Sequence, residues 1–121
     1  MNVKWGMIGC GDVAEIKSGP SLSQAKNSSL EMVMSINVEE AESFAKRHQI
    51  PAWTSDPEAL VNDPKITAVY VATPPDSHAQ YTEMAVKAGK AVLTEKPMAC
   101  NLEEAQKMTE TCLSYGVPLF V

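Results

Sequence analysis

The chain has 121 residues, 45% of them hydrophobic, which is enough for one buried core and too few for two domains of ordinary size. Ten basic against fifteen acidic side chains leave a formal charge of -5 without a run of Lys or Arg that would neutralise a row of phosphates, so no nucleic acid is expected as a partner. Secretion and membrane insertion are also disfavoured, because residues 1–5 carry one Lys and run straight into a strand-like segment, with no long apolar stretch before a small-residue cleavage site.

Residues 3–8 form a short apolar run that stops at Gly9, and residues 31–36 form a second, preceded by the polar stretch 26–29. Both are expected to be strands. Between them a helix opens at Asp12 and is interrupted at Ser18-Gly19-Pro20, where Pro20 suits the first turn of a second helical piece reaching Ala25. Residues 39–48 set Ala41, Phe44 and Ala45 on one face with charges opposite, the spacing of a helix laid on a sheet. Asp56-Pro57-Glu58 has the form of an N-cap with Pro at the first helical position, opening a short helix that ends near Asn62. Residues 68–72, Ala-Val-Tyr-Val-Ala, are apolar without alternation, as a parallel strand covered on both faces would be. A helix over 77–88 ends at Gly89, which supplies a left-handed C-cap, and residues 91–94 make the next strand. A helix over 102–115 runs from the cap Asn101 to Gly116, and residues 119–121 open a further strand.

This alternation predicts right-handed βαβ units and an α/β fold: a doubly wound parallel sheet of the Rossmann type in three α/β/α layers. No internal repeat or low-complexity segment competes with it. The last residues lie in an apolar strand with no polar tail, so the chain is expected to stop short of its onward connection. Cys10, Cys100 and Cys112 are an odd number at wide spacing, with neither a C-x-x-C pair nor a His cluster beside them. They read as reduced thiols of a cytoplasmic protein, and no metal site is expected.

The turn after the first strand is Gly9-Cys10-Gly11-Asp12-Val13-Ala14, the G-x-G-x-x-A form of the dinucleotide fingerprint, placed between a strand and a helix. Gly9 would allow the tight turn, Gly11 would let the backbone approach a pyrophosphate, and Ala14 would let helix and strand pack closely. The diphosphate would face backbone N–H groups at a helix N-terminus, where partial positive charge favours it. An isolated glycine turn would carry little weight, but this one follows the first strand of a βαβ pattern. Where NAD-binding units carry an acidic residue at the end of the second strand, this chain reads Met34-Ser35-Ile36-Asn37. Ser35 and Asn37 are able to hydrogen-bond a ribose, neither repels a 2′-phosphate as a carboxylate would, and no Arg stands at the strand end to favour NADP. NAD and NADP both stay open. Thr73-Pro74-Pro75-Asp76-Ser77-His78 falls at the carboxyl edge of the expected sheet, where open α/β folds bind ligands, and Glu95-Lys96-Pro97 follows the next strand to the same edge. Lys96, with its pKa lowered by burial, would bond a substrate hydroxyl and assist proton transfer as hydride leaves, although a solvated lysine before a proline turn reads the same in isolation.

Together these segments resemble the Gfo/Idh/MocA family of oxidoreductases, which includes glucose-fructose oxidoreductase and inositol dehydrogenase. The resemblance runs along essentially the whole chain. It is carried by residues 5–14, by Ala41-Glu42-Ser43-Phe44-Ala45, by Val71-Ala72-Thr73-Pro74-Pro75 with His78, and most specifically by Ala88-Gly89-Lys90 leading to Glu95-Lys96-Pro97. It implies a nicotinamide cofactor, and a catalytic role for Lys96 in contact with substrate and nicotinamide ribose. Thr73, Pro74 and His78 would line the nicotinamide end. It further implies a second α/β domain, absent from this chain, that holds the substrate pocket, the remaining catalytic Asp and His, and often a homo-oligomer interface. Ser35 departs from relatives that carry an acidic residue there.

The leading expectation is therefore hydride transfer between NAD or NADP and a sugar, polyol or related hydroxyl compound. A catalytically silent dinucleotide-binding sensor or scaffold would share the glycine turn, but has no need of Glu95, Lys96 and His78 together. A group-transfer domain for a ligand such as S-adenosylmethionine ranks lower, since nothing after the fourth strand points to a methyl-transfer site.

Overall fold

A computed structural model describes residues 3–10, 26–73, 77–94 and 101–120. Six strands form one parallel sheet: β1 (Val3–Ile8), β2 (Ser28–Met34), β3 (Ala52–Thr54), β4 (Ala68–Val71), β5 (Ala91–Thr94) and β6 (Leu119–Phe120). Their order is β3-β2-β1-β4-β5-β6, so the chain winds outward in both directions from β1. This is the doubly wound arrangement that the alternation predicts. The helical crossover expected from Asp12 to Ala25, and Val121, lie outside the described residues.

Four helices connect the described strands: α1 (Val38–His48), α2 (Pro57–Val61), α3 (His78–Lys87) and α4 (Leu102–Tyr115). Local chemistry fixes their ends. Asn37 caps α1 by accepting from the N–H groups of Glu39 and Glu40, Asp56 caps α2 by accepting from Glu58, and Asn101 caps α4 by accepting from Glu104. Glu39 and Glu40 in the first turn of α1, with Lys46, Arg47 and His48 in its last, complement the helix dipole at both ends. Gly116 closes α4 in the left-handed conformation at φ 68°, and Gly89 follows α3 at φ 80°.

The sheet separates two cores. On one face Met7, Leu30, Val33 and Tyr70 meet Phe44 and Ala45 of α1. On the other, Ile8, Met34, Val69, Val71 and Val92 meet Leu60 and Val61 of α2, Ala85 and Val86 of α3, and Cys112 of α4. Neighbouring residues of one strand thus divide between the layers, and α1 lies opposite α2, α3 and α4. Gly6 faces α2: a Cβ there would lie 2.5 Å from Leu60 Cδ2 and 3.3 Å from Ile66 Cγ2, so the bare backbone of β1 is what lets α2 come so close.

Three expectations need correction. β3 was not foreseen, because Ala52-Trp53-Thr54 is too short to show a period and follows Pro51. β2 starts at Ser28, inside the stretch read as polar, and stops before Ile36, which is 84% exposed. Its start is set by pairing with β1, Val3 with Ser28 and Lys4 with Ser29, and within it Trp5 pairs with Leu30 while Gly6 pairs with Met32, leaving Glu31 as a bulge. Leu30 and Val33, three apart, therefore face the same core. Among the described residues no helix is long and apolar enough to cross a membrane.

Candidate functional site

At the carboxyl ends of the central strands, one glycine joins three of them. The Gly9 N–H donates to the carbonyl of Met34 at 2.8 Å, and the adjoining Ala72 N–H donates to that of Ile8 at 2.8 Å. Gly9 has φ 106°, and a Cβ would stand 3.0 Å from the carbonyl carbon and oxygen of Ala72 and 3.1 Å from Thr73 Cγ2. Both the backbone angle and the close approach of β4 require glycine. This is the point at which the strand order reverses, where open α/β sheets bind ligands.

A cleft of about 380 Å³ opens there, in the size range of small-molecule sites. Gly9 and Cys10 form its floor, with Met34, Ser35, Ile36 and Glu40 on the β2 side and Thr73, Ser77 and Tyr81 on the β4 side. A groove of about 400 Å³ between α2 and α3, past Glu58, Glu83 and Lys87, lies among helix surfaces and touches no strand end. The cleft at the strand ends is the better candidate on topology.

Cys10 is buried, and its Sγ lies 3.7 Å from the carbonyl of Met34. Burial first and the neighbouring Glu40 charge second push the thiol up to about 12, with Arg47 acting in the opposite direction. The thiol stays protonated at neutral pH, so Cys10 shapes the floor and is no nucleophile. Ser35 is buried too: its hydroxyl donates to Glu40 Oε1 at 3.3 Å and accepts from the Asn37 N–H at 3.2 Å. Asn37 is turned to local structure, since its Oδ1 accepts from the N–H groups of Glu39 and Glu40 at 3.0 and 3.3 Å. Of the two ribose candidates at the strand end, Ser35 therefore lines the cleft and Asn37 caps the helix beside it.

On the other side, Thr73 Oγ1 accepts from the Ser77 hydroxyl at 2.7 Å, and the fully buried His78 holds the Thr73 carbonyl through Nε2 at 2.6 Å. Thr73 is exposed to the cleft and His78 lies beneath it. Gly11, Asp12, Val13, Ala14, Pro74, Glu95 and Lys96 are outside the described residues. Glu40 and Tyr81 were not foreseen from sequence. For Glu40 a signal existed, because Asn37-x-x-Glu40 has capping-box spacing, and a side chain at the third helical position leans back toward the helix start. Here that lean takes the carboxylate to Ser35, inside the cleft.

Residues 3–121 match the oxidoreductase family with an NAD-binding Rossmann fold. The chain belongs to the Gfo/Idh/MocA family. Within that family it is 48% identical over 119 residues to oxidoreductase P35 of Formosa agariphila, covering 98% of this chain and 37% of that protein. It is 34% identical over 116 residues to 1,5-anhydro-D-fructose reductase of Ensifer adhaerens, covering 96% and 34%. Its fold superposes on KijD10, a 3-ketoreductase from Actinomadura kijaniata in complex with TDP-benzene and NADP, with a TM-score of 0.91 at 28% identity, covering 98% of this chain and 37% of that one. The chain thus spans about a third of the length of the curated relatives it matches. A nicotinamide dinucleotide is the cofactor class of this Gfo/Idh/MocA fold, and the cleft suits one end of it: the glycine floor admits close approach, while Ser35 and Glu40 offer oxygens to hydroxyl groups.

Proposed function

We propose that this chain is the cofactor-binding domain of a dehydrogenase or reductase that moves hydride between NAD or NADP and a sugar, polyol or related hydroxyl compound. The observation that carries the reading is the Gly9 junction, a point of bare backbone where β2, β1 and β4 end together. The bound nicotinamide supplies the hydride acceptor or donor. This chain's residues bind and orient it. Ser35 and Glu40 take the ribose hydroxyls at one end, and Thr73 with Pro74 borders the other, its carbonyl held in place by His78. The turn Gly9-Cys10-Gly11-Asp12-Val13-Ala14 offers backbone N–H groups to the diphosphate. Thr94, the last residue of β5, brings the chain to the same edge, and Glu95 and Lys96 come next in sequence. Lys96 is the catalytic residue of this domain: as the alcohol carbon gives up hydride and its C=O forms, the Lys96 amine receives the hydroxyl proton.

A further domain outside this chain holds the substrate pocket and the remaining acid-base residues, and the whole protein assembles as a homo-oligomer. The cytoplasm is the compartment, a placement supported by the buried free thiols of Cys10 and Cys112 on opposite faces of the sheet.

Calorimetric titration of NADH and NADPH into the chain tests the binding half, with saturable heat for at least one expected and none from either counting against it. In the whole protein, Lys96→Ala is expected to lower kcat by two to four orders of magnitude, roughly the range of general acid-base catalysis, and to weaken cofactor binding far less. Undiminished turnover removes Lys96 from the mechanism, and an inactive parent protein leaves the silent sensor.

A further inference from the structure

We infer that Glu40 is the residue that selects the cofactor, and that the cleft prefers NAD(H) to NADP(H). The inference rests on the reading of the cleft as a nicotinamide dinucleotide site and adds a preference that the strand-end sequence left open. Ser35 stands where the fold ordinarily places a ribose-binding carboxylate, and its small side chain would leave the 2′ position unguarded. The structure restores a carboxylate by another route. Glu40, five residues on and from α1 instead of β2, lines the cleft and accepts the Ser35 hydroxyl at 3.3 Å. One oxygen is held by Ser35, and the carboxylate has further lone pairs for the hydroxyls of a ribose. A 2′-phosphate in that place would bring about two negative charges beside a third.

Among the described residues, little positive charge opposes this. No Lys or Arg lines the cleft among the described residues, and the stretch 35–44 contains neither. Arg47, the cation that acts on Cys10, stands seven residues farther along α1, with its Nε donating to the carbonyl and hydroxyl of Ser43. The N-terminus of α1 would attract a phosphate by its dipole, but Asn37 already occupies the N–H groups of Glu39 and Glu40, and both of those residues add negative charge.

The test measures NADH and NADPH separately, by nicotinamide fluorescence on the intact chain, for the parent, Glu40→Gln and Glu40→Lys, with circular dichroism confirming the fold of each. The parent is expected to bind NADH at least tenfold more tightly than NADPH. Glu40→Gln should narrow that ratio severalfold by weakening NADH and strengthening NADPH, and Glu40→Lys should bring it to one or below. Raising the salt concentration should shrink the parent's discrimination, because the repulsion is screened. Equal or tighter binding of NADPH by the parent overturns the inference and leaves the dinucleotide site standing. A ratio unchanged in both variants also overturns it, since a carboxylate that merely stabilises α1 would affect both nucleotides alike. Absence of binding by either nucleotide overturns the inference together with the reading beneath it.

Discussion

His78 Nε2 lies 2.6 Å from the carbonyl oxygen of Thr73, and because a carbonyl only accepts, that ring nitrogen carries the proton. The imidazole is fully buried, so it reaches the cleft through the residue it holds. His78→Ala would leave the Thr73 carbonyl without this donor and open a cavity at the start of α3. The two effects together should cost about 2–4 kcal/mol and lower Tm by ~10 °C. His78→Gln keeps a donor and should recover part of the loss. Cofactor affinity, measured well below each variant's Tm, should weaken in His78→Ala as the Thr73 wall shifts.

Glycines of positive φ separate stability from binding. Gly9→Ala meets both a strained backbone and the Ala72 carbonyl at 3.0 Å, and should lose nucleotide binding along with roughly 2–4 kcal/mol of stability. Gly89→Ala at φ 80° meets open space, so only the backbone strain remains, about 1 kcal/mol, and binding should be unchanged. Chemical denaturation and nucleotide titration of the two variants side by side distinguish them.

The contact of β1 with α2 predicts coupling between two positions. Gly6→Ala places a methyl group 2.5 Å from Leu60 Cδ2, an overpacking worth about 1–3 kcal/mol. Leu60→Ala alone empties a fully buried site and should cost about 2–5 kcal/mol. In the double variant the new methyl enters the vacated space. The combined loss should therefore fall below the sum of the single losses by more than about 0.5 kcal/mol, read from urea midpoints; additive losses would contradict the contact.

The raised pKa of Cys10 predicts alkaline destabilisation. Below its ordinary value of 9.0 both folded and unfolded chains keep the proton; between 9.0 and about 12 the unfolded thiol ionises while the folded one does not, so unfolding gains. The slope is at most about 1.4 kcal/mol per pH unit from this group. Burial raises the Cys112 thiol in the same direction. Urea melts from pH 8 upward should show a shallower fall for Cys10→Ala than for the parent. At neutral pH, Cys10 should resist alkylation until the chain is unfolded.

Sequence resolved most of this fold because the helix ends carry their own chemistry. Asp56, Asn101, Gly89 and Gly116 act within a few residues of where they stand, so a one-dimensional reading finds them. β3 and the start of β2 escaped it, because short strands borrow stability from neighbours distant in sequence. The cleft divides in the same way. Its glycine floor follows from spacing, whereas the part played by Glu40 depends on how α1 returns to the end of β2. Even the Ala88-Gly89-Lys90 signature has a structural side that spacing does not reveal. Lys90 Nζ donates to the carbonyls of Asp63 and Ile66 at 3.0 and 2.5 Å, tying down the segment that enters β4.

Glu31 makes the interior of this sheet unusually forgiving at one point. Its neighbours Leu30 and Met32 already stand opposite successive residues of β1 and face their proper layers, so excising Glu31 would close the gap without turning any side chain around. Losing Met32 instead would bring the carboxylate of Glu31 opposite Gly6, on the side where Leu60 and Ile66 pack. A deletion at 31 should thus leave a cooperative thermal transition and one at 32 should abolish it. The allowance for length variation normally confined to surface loops is here built into a strand beside the centre of the domain.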